Sequence, residues 1–249
     1  MIDSALFTEP IALDRNRHLR ARLKERFPRY ERTAGMNALF VTALEFVDVA
    51  REYPIVFVEA GTGEDGQREV APMAVLGLAQ GENLMLKADG TWDARYVPAM
   101  LRAYPLGLAR ADADNFVLVI DAKADALSET EGERLFDDAG EPTPLLEEAR
   151  KFVQQLEEEG MRTRLLGRRL LELELLQPKR FEATVPNHGN LVVDGFLGLD
   201  EARFAALPDE TLLELHKTGA LACIFAHQFS LPLMRQLVDR RVARAPATA

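Results

Sequence analysis

Apolar and polar positions change their period partway along this chain. YPIVFVE (Tyr53–Glu59) is a short apolar, β-branched run, and it predicts a buried strand. GTGEDGQRE supplies a turn, and VAPMAVLGLA a second strand, with Pro72 near its start placing it at an edge or a bulge. GENLMLKADGTW reads as a short strand closed by a turn at Asp89-Gly90. YVPAMLRAY is brief and helical in character, and LGLARA and NFVLVIDA are further strands. Strands joined by short turns predict a largely antiparallel sheet.

From Thr143 the period is helical. TPLLEEARKFVQQLEEE offers Thr143 as N-cap, Pro144 at the first helical position, and Glu147 and Glu148 in the first turn. Leu145, Ala149, Phe152 and Leu156 form one apolar stripe, and Gly160 is the expected end. MRTRLLGRRLLELELLQP predicts another helix, stopped near Pro178, and FEATV and NLVVDGFLGL predict strands. The segment from Pro208 to Arg244 is helical with interruptions, followed by a frayed tail, APATA. The expected fold is α+β in one domain over residues 1–249: a sheet-rich part at about 37–140 packed with helices mostly from a part at about 141–245.

Composition narrows the class. The chain has 249 residues, 47% hydrophobic and 28% charged, the profile of a soluble globular protein. A formal net charge of -10 disfavours nucleic acid or an anionic membrane as partner. The basic segment before Arg32 is accordingly expected to pair with acidic surface elsewhere, such as SETEGERLFDDAGEP, rather than with nucleic acid. One cysteine, Cys223, excludes an intrachain disulfide framework. With no run of ~18 apolar residues and no secretory pattern at the N-terminus, the expected location is cytoplasmic, the alternative being the cell surface by non-classical export.

Candidate chemistry is sparse. Gly61, Gly63 and Gly66 fit G-x-G-x-x-G after a strand, but a strand-like segment follows and Glu64 and Asp65 would repel phosphate, so a hairpin loop is expected. His216, Cys223 and His227 would share one face of an unbroken helix, and imidazole and thiolate are zinc ligands; Gly219 threatens that alignment, and Cys223 lies in the apolar ALACIFA. Acidic residues at Asp112, Asp114, Asp121, Asp125, Asp137, Asp138 and Glu141 read as turn residues and match no EF-hand register. Ser4, Ser128 and Ser230 lie in no G-x-S-x-G elbow. No catalytic residue and no cofactor is assigned.

GTWDARYVPAMLRAYPLG (Gly90–Gly107) concentrates the only tryptophan, Trp92, with Tyr96, Tyr104, Arg95 and Arg102. If Asp93 caps a helix, Tyr96, Met100 and Tyr104 make an aromatic face, and Arg95 and Arg102, seven apart, lie beside it. The arginines would then clamp a carboxylate or pair with Asp93. A helix stapled to the sheet by its aromatics is the preferred reading. The other makes Trp92, Arg95, Tyr96, Arg102 and Tyr104 a surface for a ligand or protein partner.

These words, in order, resemble the SapC family of bacterial proteins: YPIVF at Tyr53–Phe57, LGL at Leu76–Leu78, ENL at Glu82–Leu84, GTWDARYVPAMLRAYP at Gly90–Pro105, ERLFDDAGEPTPLLEEA at Glu133–Ala149 and LHKTGALACIFAHQFSL at Leu215–Leu231. The resemblance spans about Asn37 to Val242. It implies association with a surface layer or an outer-membrane uptake system, and no catalytic residues to carry over. Gene neighbourhoods of similar proteins imply halogenase-like and cupin-like oxygenase neighbours. Two functions follow as expectations: a non-catalytic accessory protein binding a protein or small molecule, with homo-oligomerisation open, or an enzyme or substrate-handling partner of those neighbours.

Overall fold

The computed structural model describes residues 2–24, 30–63, 65–111, 115–185 and 189–244. Readings that fall on residues 25–29 of the basic segment, Glu64, Asp112, Asp114 and the APATA tail lie outside the described residues. In chain order the strands are β1 (Pro10–Ala12), β2 (Arg22–Leu23), β3 (Ala38–Phe40), β4 (Ile55–Thr62), β5 (Arg68–Val75), β6 (Leu106–Arg110), β7 (Phe116–Asp121), β8 (Leu127–Ser128), β9 (Glu133–Arg134), β10 (Leu176–Val185) and β11 (Gly189–Leu199). The helices are α1 (Phe46–Val49), α2 (Ala99–Ala103), α3 (Pro144–Glu172), α4 (Glu201–Ala205), α5 (Asp209–Lys217), α6 (Ala220–Ser230) and α7 (Met234–Arg244).

The fold is α+β, and every strand pairing among the described residues is antiparallel. The largest sheet runs β10-β11-β4-β5-β3, so the hairpin β10–β11 from the second half of the chain extends strands from the first. Smaller sheets run β1-β7-β6 and β8-β2-β9. The predicted loop GTGEDGQRE connects β4 to β5 and enters no helix, so its glycines serve a hairpin. Pro72 is a correction. It lies inside β5, between β4 and β3, rather than at an edge. Its carbonyl accepts from Val41 (3.2 Å), just past the end of β3; an N–H there would point to the same side, beyond the last paired residue of β3, so no ladder bond is lost.

Helix α3 joins two hydrophobic cores. Its 29 residues make a rod of about 43 Å. Leu146 and Val153 pack with Leu106, Leu108, Ile120 and Leu135 in the smaller core. Leu156, Leu166 and Leu170 join the larger one, around Leu39, Phe46, Ile55 and Phe57. Thr143 caps the helix as expected, accepting from Leu146 N–H, with Pro144 in the first turn. The expected stop at Gly160 does not occur. Gly160 is buried in mid-helix, where the penalty of about 1 kcal/mol is offset by the packing around it. Farther on, Gly167 lets α3 lie directly on β5: a Cβ there would come within 2.8 Å of the Val70 carbonyl oxygen.

The N-terminal basic segment docks as the charge pattern predicted. Arg15 faces Glu141 (4.0 Å), Lys24 faces Glu131 (3.7 Å), and Arg22 donates to the Gly132 carbonyl (2.9 Å). Strands β1 and β2, absent from the sequence reading, form here because each completes a sheet made elsewhere.

Candidate functional site

The tryptophan stretch folds differently from the helix predicted for it. Trp92 to Val97 is irregular and only Ala99–Ala103 is helical, because Pro98 holds the chain before it extended. Arg95 and Arg102 therefore do not share a helix face. Trp92 is buried, with Tyr30 edge-on at 5.3 Å. Its indole N–H donates to the Tyr53 hydroxyl (2.7 Å), which in turn donates to the Tyr96 carbonyl. Burial raises the Tyr53 pKa well above that of a free phenol, keeping it neutral. Tyr53→Phe is expected to destabilise the protein by about 1–3 kcal/mol, since it strands the indole N–H and the Tyr96 carbonyl. Unfolding followed by the emission of Trp92 would read it directly.

Two buried carboxylates anchor the same stretch. Glu45 accepts from Thr42 N–H and Thr42 hydroxyl (both 2.9 Å), from the Tyr96 hydroxyl (2.9 Å) and from Ala99 N–H (2.7 Å). Arg102 lies between the rings of Tyr96 and Phe152, 5.6 and 5.1 Å from their centroids, and its Nε donates to the Val97 carbonyl (3.0 Å). Asp93, offered in the sequence as its partner, pairs instead with Arg240 (2.6 Å).

At the far end, the Tyr104 hydroxyl donates to Asp121 (2.9 Å), a fully buried carboxylate that also accepts from Thr8, Glu9 and Lys123 N–H groups. Burial pushes the Asp121 pKa up, but these donors outweigh it and hold it below the usual aspartate value. For Tyr96 and Tyr104, burial first and then the adjacent carboxylate raise the pKa. Four of the five residues offered as a recognition surface are thus committed to internal contacts. Arg95 alone is open.

His216, Cys223 and His227 do not converge. Gly219, at φ 80°, separates α5 from α6, leaving His216 exposed on the first helix and the other two on the second. No group of three or more potential metal-ligating side chains occurs among the described residues. The Cys223 thiol points at the Ala43 carbonyl (3.8 Å), and burial pushes its pKa up to about 11, far from a reactive thiolate.

His227 is a spacer within the sheet. β4 and β11 pair only at Phe57 and Leu197. Two residues on, Leu199 N–H donates to His227 Nε2 (3.2 Å), and His227 Nδ1 lies 2.8 Å from the Ile55 carbonyl. Because the amide can only donate, Nε2 is the bare nitrogen and Nδ1 carries the proton. The imidazole thus replaces a direct ladder bond between the strands. Ser230 supports the same strand by accepting from Ile55 N–H (2.8 Å).

Two concavities flank the segment Ala43–Glu52. One is an apolar groove of about 660 Å³ between that segment, α3 and the α5–α6 junction. Phe46, Leu166, Ala220 and Cys223 line it, and Leu44, Val47 and Leu165 stand at its mouth, 72%, 57% and 64% exposed. Its rim charges pair internally: Arg162 with Glu159 (2.5 Å), and Arg169 with Glu214 through Nε and Nη2. The other is a polar cleft of about 540 Å³ whose walls include Asp48, Glu52, Arg95 and Gln236.

The SapC family model matches residues 13–237. The chain belongs to the SapC family. No curated protein and no solved structure matches it. In this SapC protein the tryptophan signature forms a buried plug, while the closing signature builds one wall of the groove and inserts the His227 spacer. Sequence reasoning missed Glu45, Glu52 and the groove itself. The available signal was Thr42-x-x-Glu45, a capping-box spacing, which is realised here.

Proposed function

We propose that this SapC chain is a non-catalytic accessory protein that binds a protein partner, receiving the apolar face of an amphipathic helix in the groove. The observation that carries the reading is the groove with Leu44, Val47 and Leu165 exposed around it. A small-molecule site would enclose most of its ligand, whereas these mouth residues gain burial only under a larger surface. The groove follows α3 from Glu159 to Arg169, about 15 Å of helix, enough for side chains at i, i+3 or i+4, and i+7 of a docked helix. The paired rim charges favour an uncharged face over an ionic one. Family membership supports service to a surface-layer or outer-membrane uptake system, and the single free cysteine supports folding in the cytoplasm. Against the enzyme reading stand the separation of His216 from Cys223 and the backbone partners of His227.

A photocrosslinking residue placed at Leu44 or Leu165 in the native host is expected to trap one discrete protein adduct, with none from the polar position Thr184. Leu165→Asp should abolish the adduct at Leu44 while changing stability by about 0.5 kcal/mol or less, as expected for an exposed position. Absence of adducts, or equal adducts at all three positions, would rule the reading out.

A further inference from the structure

The polar cleft carries an inference of its own, independent of the groove. It lies where α1, the tryptophan stretch and α7 meet, and is lined by Asp48, Arg51, Glu52, Arg95, Tyr96 and Gln236, with Arg240 among its walls. Most of these groups already have partners. Asp48 and Arg51 pair with each other (3.2 Å). Arg240 donates to the Asp93 carboxylate (2.6 Å) and to the carbonyls of Asp93 and Leu84. The Tyr96 hydroxyl belongs to Glu45.

What remains is a charge of each sign. The two oxygens of Glu52 each accept one backbone N–H, from Arg95 and from Tyr96, both at 2.8 Å. Those bonds fix the carboxylate and leave each oxygen room for another donor. Arg95 is exposed, and among the described residues its guanidinium makes no ion pair and no side-chain hydrogen bond; the same holds for the amide of Gln236. Although the Arg95 backbone is bonded to Glu52, the guanidinium does not close onto that carboxylate. Opposite charges are therefore held apart over one cavity.

A simple anion would meet Asp48 and Glu52 there, and a simple cation would meet three arginines. A molecule carrying both charges on neighbouring atoms satisfies the two sides together. We propose that this cleft binds a free α-amino acid, its carboxylate on the Arg95 fork and its ammonium on Glu52, with Gln236 bonding the carboxylate edge.

The test is calorimetric titration of the full chain with glycine, leucine, phenylalanine and glutamate, alongside N-acetyl-leucine, leucinamide and inorganic phosphate. At least one free amino acid should bind saturably. For leucine, loss of either charge should weaken binding by roughly tenfold or more. Arg95→Gln, at an exposed position, should abolish binding while preserving the thermal midpoint. Leu165→Asp should leave it intact, which separates this site from the groove. The proposal is overturned if no amino acid binds, if phosphate or N-acetyl-leucine binds as tightly as leucine, or if Arg95→Gln binds like the parent.

Discussion

Asp121→Ala is expected to lower the unfolding free energy by about 3–5 kcal/mol. The carboxylate has no solvent exposure, and its removal strands three backbone N–H donors and the Tyr104 hydroxyl at once. Those donors come from the N-terminal segment, the turn after β7 and the end of the tryptophan stretch, so no single shift can re-satisfy them. Arg32, 3.9 Å from the carboxylate, would also lose its counter-charge. Asp121→Asn keeps the shape but turns an NH2 group toward donors, and should recover little. Urea denaturation monitored by circular dichroism gives both numbers.

The pH dependence has a definite sign. The folded carboxyl titrates below the ordinary value of 3.8, so its contribution is complete above that pH and is lost as pH falls through the folded value. Asp121→Asn should flatten that acid limb. An unchanged limb would show that other carboxylates set it.

His227→Ala should destabilise the protein by a similar amount, about 3–5 kcal/mol, by combining a cavity with two unpaired backbone groups, Leu199 N–H and the Ile55 carbonyl. Glutamine can accept with its oxygen and donate with its amide, so His227→Gln should recover part of the loss. Burial holds the His227 pKa below 6.5, with nearby Lys179 pushing the same way and the bond to Ile55 opposing them. The buried ring is neutral. Its contribution is therefore complete above pH 6.5 and declines as pH falls toward the folded value, because the unfolded imidazole takes up a proton over that range while the buried ring, accepting from Leu199, stays neutral. The Gln variant should lose this component, measurable as a flatter thermal midpoint below pH 6.5.

Local signals were legible where a residue acts on its own neighbours. Thr143 and Pro144 announced α3, the hairpin glycines announced the β4–β5 turn, and the apolar run in NFVLVIDA announced β7. What could not be read was contact between distant segments. Gly160 looks like a helix end until the cores on either side are known. Pro72 looks like an edge until the short length of β3 is known. The aromatic and arginine side chains of Gly90–Pro105 have a composition suited to recognition, yet Tyr53, Glu45, Phe152 and Asp121, all outside the stretch, turn four of them inward. Arg95 is the one of the five left exposed; among the described residues its guanidinium has no side-chain partner, and only its backbone N–H is held, by Glu52.

The junction between β4 and β11 also sets when this chain can fold. Phe57 meets Leu197, and Ile55 takes its support from Ser230, 175 residues later. Arg240 and Arg244, both in α7, fasten the carbonyls of Asn83, Leu84 and Leu86. A nascent chain has its early strands long before the ring and the arginines that hold them in place are synthesised. The larger core therefore closes only after the segment through α7 has left the ribosome, and until then YPIVFVE is an apolar strand without its cover. Chaperone demand during synthesis is where removal of α7 would first be felt.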